Sequence, residues 1–132
     1  MKQILFVLLC WFGLQPAFGQ ARLGSSAQDI RSEFSSPEYE LESEYTENGA
    51  YVIKLTIGRY SVAHLFNNDR ICVATLVFPE SQGALNALVE QYNDQYVIVS
   101  PTEWKMYSKG GIANVRLIIE EDGYYFAWTS GD

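Results

Sequence analysis

The chain has 132 residues, nine of them basic and sixteen acidic, with a formal net charge of −7. That is one domain's length, and 48% hydrophobic residues suit a packed core rather than a disordered tail. An acidic chain repels phosphate backbones and gives an anionic bilayer no basic face, so nucleic acid and membrane surfaces drop out as expected partners.

Met1 and Lys2 open the chain with positive charge, and Ile4 to Leu14 is almost wholly apolar. A bilayer span needs about twenty residues, so this run is too short to cross one comfortably. Gln15-Pro16 breaks it, and Ala17-Phe18-Gly19 then offers small residues at the two positions a signal peptidase reads. These features predict a secretory signal over 1–19, with cleavage before Gln20 or near Ala21. A buried N-terminal helix is the alternative. Cys10 lies inside the apolar run behind Leu9, so no lipid attachment is expected. The remaining 20–132 reads as a single α+β domain outside the cytoplasm, periplasmic or secreted. Loss of Lys2 leaves eight basic against sixteen acidic residues, a net charge of 8 − 16 = −8, and Cys72 as the sole cysteine. Exported proteins can form disulfides, but this domain has no intrachain pair to form.

Ser26 can cap a helix, with Asp29 three residues on, and Ala27, Ile30 and Phe34 fall on one helical face. The spacing predicts a helix over 26–35, stopped by Ser35-Ser36-Pro37. Tyr39 to Tyr45 alternates, with Tyr39, Leu41, Ser43 and Tyr45 on one side and Glu38, Glu40, Glu42 and Glu44 on the other, as in a strand with one wet face. Asn48-Gly49 is a hairpin signal. Strands follow over Tyr51 to Ile57, Tyr60 to Phe66 and Arg70 to Phe78. The last is nearly continuous in apolar residues and is expected centrally in the sheet. Leu85, Leu88, Val89 and Tyr92 predict a second helix over 82–93. Tyr96 to Val99 reads as a strand interrupted by Pro101 and resumed at Trp104 to Tyr107. Strands at Ala113 to Ile119 and Tyr124 to Trp128 complete the chain. The expected order is αββββαβββ: an antiparallel sheet of about six to seven strands with two helices on one face. A faint echo of Ile30, Phe34, Tyr39, Leu41 and Ser43 in Leu88, Tyr92, Tyr96, Ile98 and Ser100 suits either an internal duplication or chance.

Gly24-Ser25-Ser26-Ala27-Gln28-Asp29-Ile30, a hairpin, and then Val62-Ala63-His64-Leu65-Phe66-Asn67-Asn68-Asp69-Arg70-Ile71 give a capped helix followed by strands with a Phe-plus-turn step. This pattern, within 24–78, resembles the small envelope domains typified by the SmpA assembly lipoprotein and the β-lactamase inhibitory protein. The chain departs from the former in lacking a lipobox and the Gly-x-Pro that closes its first helix. The resemblance implies an antiparallel sheet with helices on one face and a protein-binding role. It transfers no functional residue.

His64 and Cys72 are the chain's only histidine and the only cysteine beyond the leader, and so a candidate nucleophile pair. A two-residue turn at Asn68-Asp69 would place His64 opposite Val73 and away from Cys72. A three-residue loop over Asn67 to Asp69 would place it opposite Cys72. In either register an apolar strand raises the thiol's pKa and quiets it. The row of Glu38, Glu40, Glu42, Glu44 and Glu47 reads as a solvated edge. Its spacing of about 7 Å between alternate residues does not converge on a calcium ion. The tip Glu120-Glu121-Asp122 reads likewise. No catalytic, cofactor-binding or metal site is assigned, and no cofactor is expected. Tyr45, Tyr60, Trp104, Tyr107, Tyr125 and Trp128, with Tyr124, supply large rings that would mark a contact surface if they lie on the face away from the helices. The leading expectation is a non-catalytic extracytoplasmic binding module, its partner another envelope protein or a glycan. A small hydrolase or transferase using His64 and Cys72, or a small-ligand carrier, is the alternative. Nothing in the residues selects an oligomeric state.

Overall fold

In the computed structural model, which describes residues 22–36, 39–47, 50–108 and 111–131, Ser26 caps the first helix. Its side-chain oxygen accepts from the Asp29 N–H at 3.1 Å. Helix α1 runs Ala27–Glu33. Strands β1 (Glu40–Glu47), β2 (Ala50–Ile57), β3 (Tyr60–Phe66) and β4 (Cys72–Pro79) follow. Helix α2 (Gln82–Gln95) is capped by Ser81, whose hydroxyl oxygen accepts from the Ala84 N–H at 3.1 Å. The chain ends in β5 (Val97–Ser100), β6 (Glu103–Ser108), β7 (Gly111–Glu120) and β8 (Gly123–Ser130). The leader with Cys10, the residues Pro37 and Glu38, and the Asn48-Gly49 turn lie outside the described residues. Of the side chains of Glu40, Glu42, Ser43, Tyr45 and Glu47 only the strand positions are described.

The protein is α+β with a large antiparallel sheet, and the described strands lie in the order β1-β2-β3-β4-β8-β7-β6-β5. Tight turns join neighbours: Gly58, at φ 59°, opens the two-residue β2–β3 turn at the position where a left-handed backbone suits glycine. The apolar β4 stands in the middle, against β8.

Two expectations are corrected. The segment from Tyr96 to Tyr107 is two strands, because Pro101-Thr102 reverses the chain and sets Ile98 opposite Trp104. Proline has no N–H to continue a ladder, so the break becomes a turn. The strict alternation of β1 also fails. Its register shifts between Leu41 and Ser43, so that Leu41 faces Leu55 and Glu44 faces Ile53. One extra residue in a strand exchanges the faces of everything beyond it. Leu41 and Glu44 therefore share a face, and Tyr45 joins the opposite one, paired with Val52.

Both helices cover the same side. Ala27, Ile30 and Phe34 of α1 pack with Ile53, Leu55, Phe66 and Cys72, whereas Leu85, Leu88 and Tyr92 of α2 pack with Val77, Trp104, Val115, Phe126 and Trp128. Register explains the continuity. Ile53, His64, Thr75, Trp128, Val115 and Trp104 are successive cross-strand partners from β2 to β6, and all are sealed from solvent. Glu44 and Ile98 end this row on the two edge strands. Among the described residues no helix is long and apolar enough to cross a membrane.

Candidate functional site

The rings expected to form one surface divide between the two faces. Trp104 and Trp128 are core residues, 1% and 0% exposed, and so leave the expected contact surface. Strand alternation turns them under α2, and their indole N–H groups find acceptors there. Trp104 donates to Asn93 Oδ1 at 2.8 Å and Trp128 to the Tyr92 hydroxyl at 3.4 Å. Buried indoles need such partners. Tyr60 and Tyr124 pack half-buried against the same cluster. Tyr107 and Tyr125 alternate with helix-facing Met106 and Phe126, and so stand on the opposite face with the Tyr45 position. Tyr107 is exposed, and Tyr125 lies against Phe78 with ring centroids 5.3 Å apart.

The face opposite the helices carries two rows running from edge to edge. One holds Tyr45, Val52, Leu65, Ala74, Thr129, Asn114, Lys105 and Val97. The next holds Ser43, Lys54, Ala63, Leu76, Ala127, Arg116, Glu103 and Ser100. Their middle is apolar: Val52 and Ala63 are buried, and Leu65, Ala74, Leu76 and Ala127 are half-buried. Their charges are Lys54, Lys105 and Arg116 against Glu103 alone, with Arg116 and Glu103 paired at 3.5 Å. No described helix lies on this side. On a chain of net −7, the two rows sum to about two positive charges.

His64 and Cys72 do come together, by a register neither sequence alternative contained. Phe66 pairs with Cys72, Leu65 with Ala74 and His64 with Thr75, so Val73 is the extra residue of a bulge. Cys72 and Thr75 are thereby both brought to His64. The thiol sulfur is 3.9 Å from His64 Nδ1, and Thr75 Oγ1 is 3.0 Å from the same nitrogen. Helix α1 closes the nest from above: the Phe34 ring stacks on the imidazole at 6.2 Å, with the Arg22 guanidinium 4.9 Å from the Phe34 centroid. Arg22 is ion-paired with Glu33.

The chemistry of this nest is that of a neutral pair. Burial, reinforced by the Arg22 cation, lowers the His64 imidazole to about 4. Burial pushes the Cys72 thiol up, against the opposing hydrogen bond with Thr75. An activated thiolate–imidazolium pair needs the reverse of both shifts. The thiol instead donates to the Ala74 carbonyl at 3.4 Å. His64 and Cys72 are sealed from solvent, 0% and 2% exposed. His64 Nε2 has no hydrogen-bond partner among the described residues.

Among the described residues no three His, Cys, Asp or Glu side chains converge as metal ligands would. Glu44 is not merely a solvated edge residue: the Tyr51 hydroxyl donates to it and Arg31 reaches it at 3.0 Å, and these contacts, the first foremost, hold its carboxyl below the usual range. Sequence reasoning passed over Thr75 and Arg22, whose types are ordinary in strands and lead-ins. Their roles come from cross-strand and helix-to-sheet contacts that leave no local signal. Compared with known proteins, the chain matches no family model, no curated protein and no solved structure.

Proposed function

We propose that this protein is an extracytoplasmic, non-catalytic binding module whose sheet face opposite the helices docks a protein partner bearing apolar side chains flanked by carboxylates. The observation that carries the reading is the pair of edge-to-edge rows with an apolar centre and a basic balance, on a chain otherwise strongly acidic. Apolar burial supplies affinity, and charges at a rim supply orientation and rate. Tyr107 and Tyr125 remain suitable anchors on that face. The leader pattern supports the compartment in this reading, and the resemblance to envelope domains supports the kind of partner.

We further read the two helix-plus-four-strand halves as a duplicated unit. Each helix ends in a ring pair: Phe34 on Tyr39 at 5.0 Å and Tyr92 on Tyr96 at 5.5 Å. These are the positions of the faint sequence echo.

The test is affinity capture from envelope extract with the mature domain beginning at Gln20. A partner retained by the wild type is lost when Leu76→Glu and Tyr125→Ala are combined, and weakens as salt rises. Equal capture by wild type and variant overturns the reading. Elution by free sugars moves the partner from protein to glycan.

A further inference from the structure

Tyr51 and Arg70 line two adjoining hollows at the β2 end of the helix-bearing side. The larger, about 490 Å³, is also lined by Ser26, Gln28, Arg31 and Asp69. The smaller, about 110 Å³, adds Asn67 and Asn68. Neither the docking face nor the His64 nest includes these residues.

Arg70 is unlike the other described arginines. Arg22, Arg31, Arg59 and Arg116 each have a carboxylate within 4 Å. Arg70 has none among the described residues, although the chain has far more acids than bases. Its guanidinium lies 3.9 Å from the Tyr51 ring centroid, a stacked arrangement that leaves the planar edge and its N–H donors free. The platform is held from behind, because the Tyr51 hydroxyl binds Glu44 and also receives Arg31 at 2.7 Å.

The backbone beneath it is strained. Arg70 has φ 61° and is the one non-glycine residue with positive φ among the described residues. A left-handed backbone favours glycine and tolerates asparagine, so an arginine there has a steric cost. The conformation is imposed by its surroundings. Asn67 Oδ1 accepts from the Asp69 and Ile71 N–H groups, Arg70 N–H donates to the Asn67 carbonyl, and Ala27 N–H donates to the Arg70 carbonyl. The guanidinium therefore starts from a pinned main chain and ends on a pinned ring.

We infer that the larger groove binds a small oxyanion, a carboxylate or a phosphate, on the free edge of Arg70. A planar guanidinium pairs two of its N–H groups with two oxygens of such a group. Ser26 and Gln28 offer further polar groups on the wall. Asp69 on the same wall selects an anion that carries a donor of its own, as monohydrogen phosphate does or a carboxylate beside an amide N–H. The first source is a phosphate ester and the second a peptide's C-terminal end.

The test is amide-resolved NMR titration of the whole secreted chain with inorganic phosphate, N-acetylglycine and acetate in turn. Saturable shifts at Tyr51, Asp69 and Arg70, with dissociation constants of about 1–10 mM for the preferred probe, support the site. Preference for phosphate or for N-acetylglycine distinguishes the two sources. Arg70→Asn accepts the left-handed backbone and so keeps the fold while removing the cation. It weakens binding at least about tenfold, with an otherwise unchanged amide spectrum. Absence of saturable shifts for all three probes, or binding by Arg70→Asn equal to wild type, overturns the inference.

Discussion

His64 shows how one buried residue couples stability to pH. Its imidazole titrates near its ordinary value of 6.5 in the unfolded chain and at about 4 when folded. The unfolded state therefore binds the proton more tightly, and stability falls as pH drops from 6.5 towards 4. The loss from this group is about 3 kcal/mol across the window. It lies largely above the range in which carboxylates titrate, so it can be seen separately. We expect His64→Leu to flatten the dependence of the urea midpoint on pH through this window. An unchanged slope in the variant would remove His64 as its source. Cys72 sits beside the same imidazole, yet both groups stay neutral because low dielectric penalises each charge more than their proximity favours a pair.

Helix α2 is held to the sheet by Tyr92. Its ring meets Tyr96, Trp104, Phe126 and Trp128 at centroid distances of 5.0–5.6 Å. Burial raises its phenol above the ordinary value, so the hydroxyl stays protonated while it accepts from Trp128. Tyr92→Ala should cost about 3–5 kcal/mol, the range for deleting a buried aromatic side chain. Tyr92→Phe keeps the ring and should cost about 1–3 kcal/mol, by leaving the Trp128 N–H unpaired. Chemical denaturation of the two variants checks both figures. Equal costs would mean that the hydroxyl, rather than the ring, carries the effect. The reading of α2 from sequence succeeded because Leu85, Leu88 and Tyr92 repeat at a helical period. Hairpin β5–β6 was less legible: Pro101 marks a break, but only pairing shows that the chain turns back there.

At the scale of the whole molecule, the two edges of the sheet differ. Edge strand β1 contains Glu40, Glu42, Glu44 and Glu47, charges that discourage further pairing. Edge strand β5 is Val-Ile-Val-Ser, with Val97, Ile98 and Val99 each more than half exposed. Such a strand invites unwanted pairing between copies. Ile98→Lys should raise the concentration at which the protein stays monodisperse, with a stability change of no more than about 0.5 kcal/mol. Light scattering together with a denaturation curve measures both. A variant that aggregates as readily as the wild type would show that β5 is not the adhesive edge.

Local order was largely readable along the chain. Ser26 and Ser81 as caps, the helical faces of Ile30 with Phe34 and of Leu88 with Tyr92, and the central place of β4 all follow from residue type and period. These are interactions between near neighbours, so spacing alone encodes them. Which face each ring occupies was not readable. A single extra residue, at Glu42 in β1 or at Val73 in β4, exchanges the two sides of a strand, and nothing local announces it. The bulge at Val73 is why Cys72 met His64, whereas Trp104 and Trp128 became core because the helices cover their face of the sheet. Arg70 likewise came to lie on Tyr51: such contacts join residues distant in sequence, and only the folded sheet and its helices bring them together.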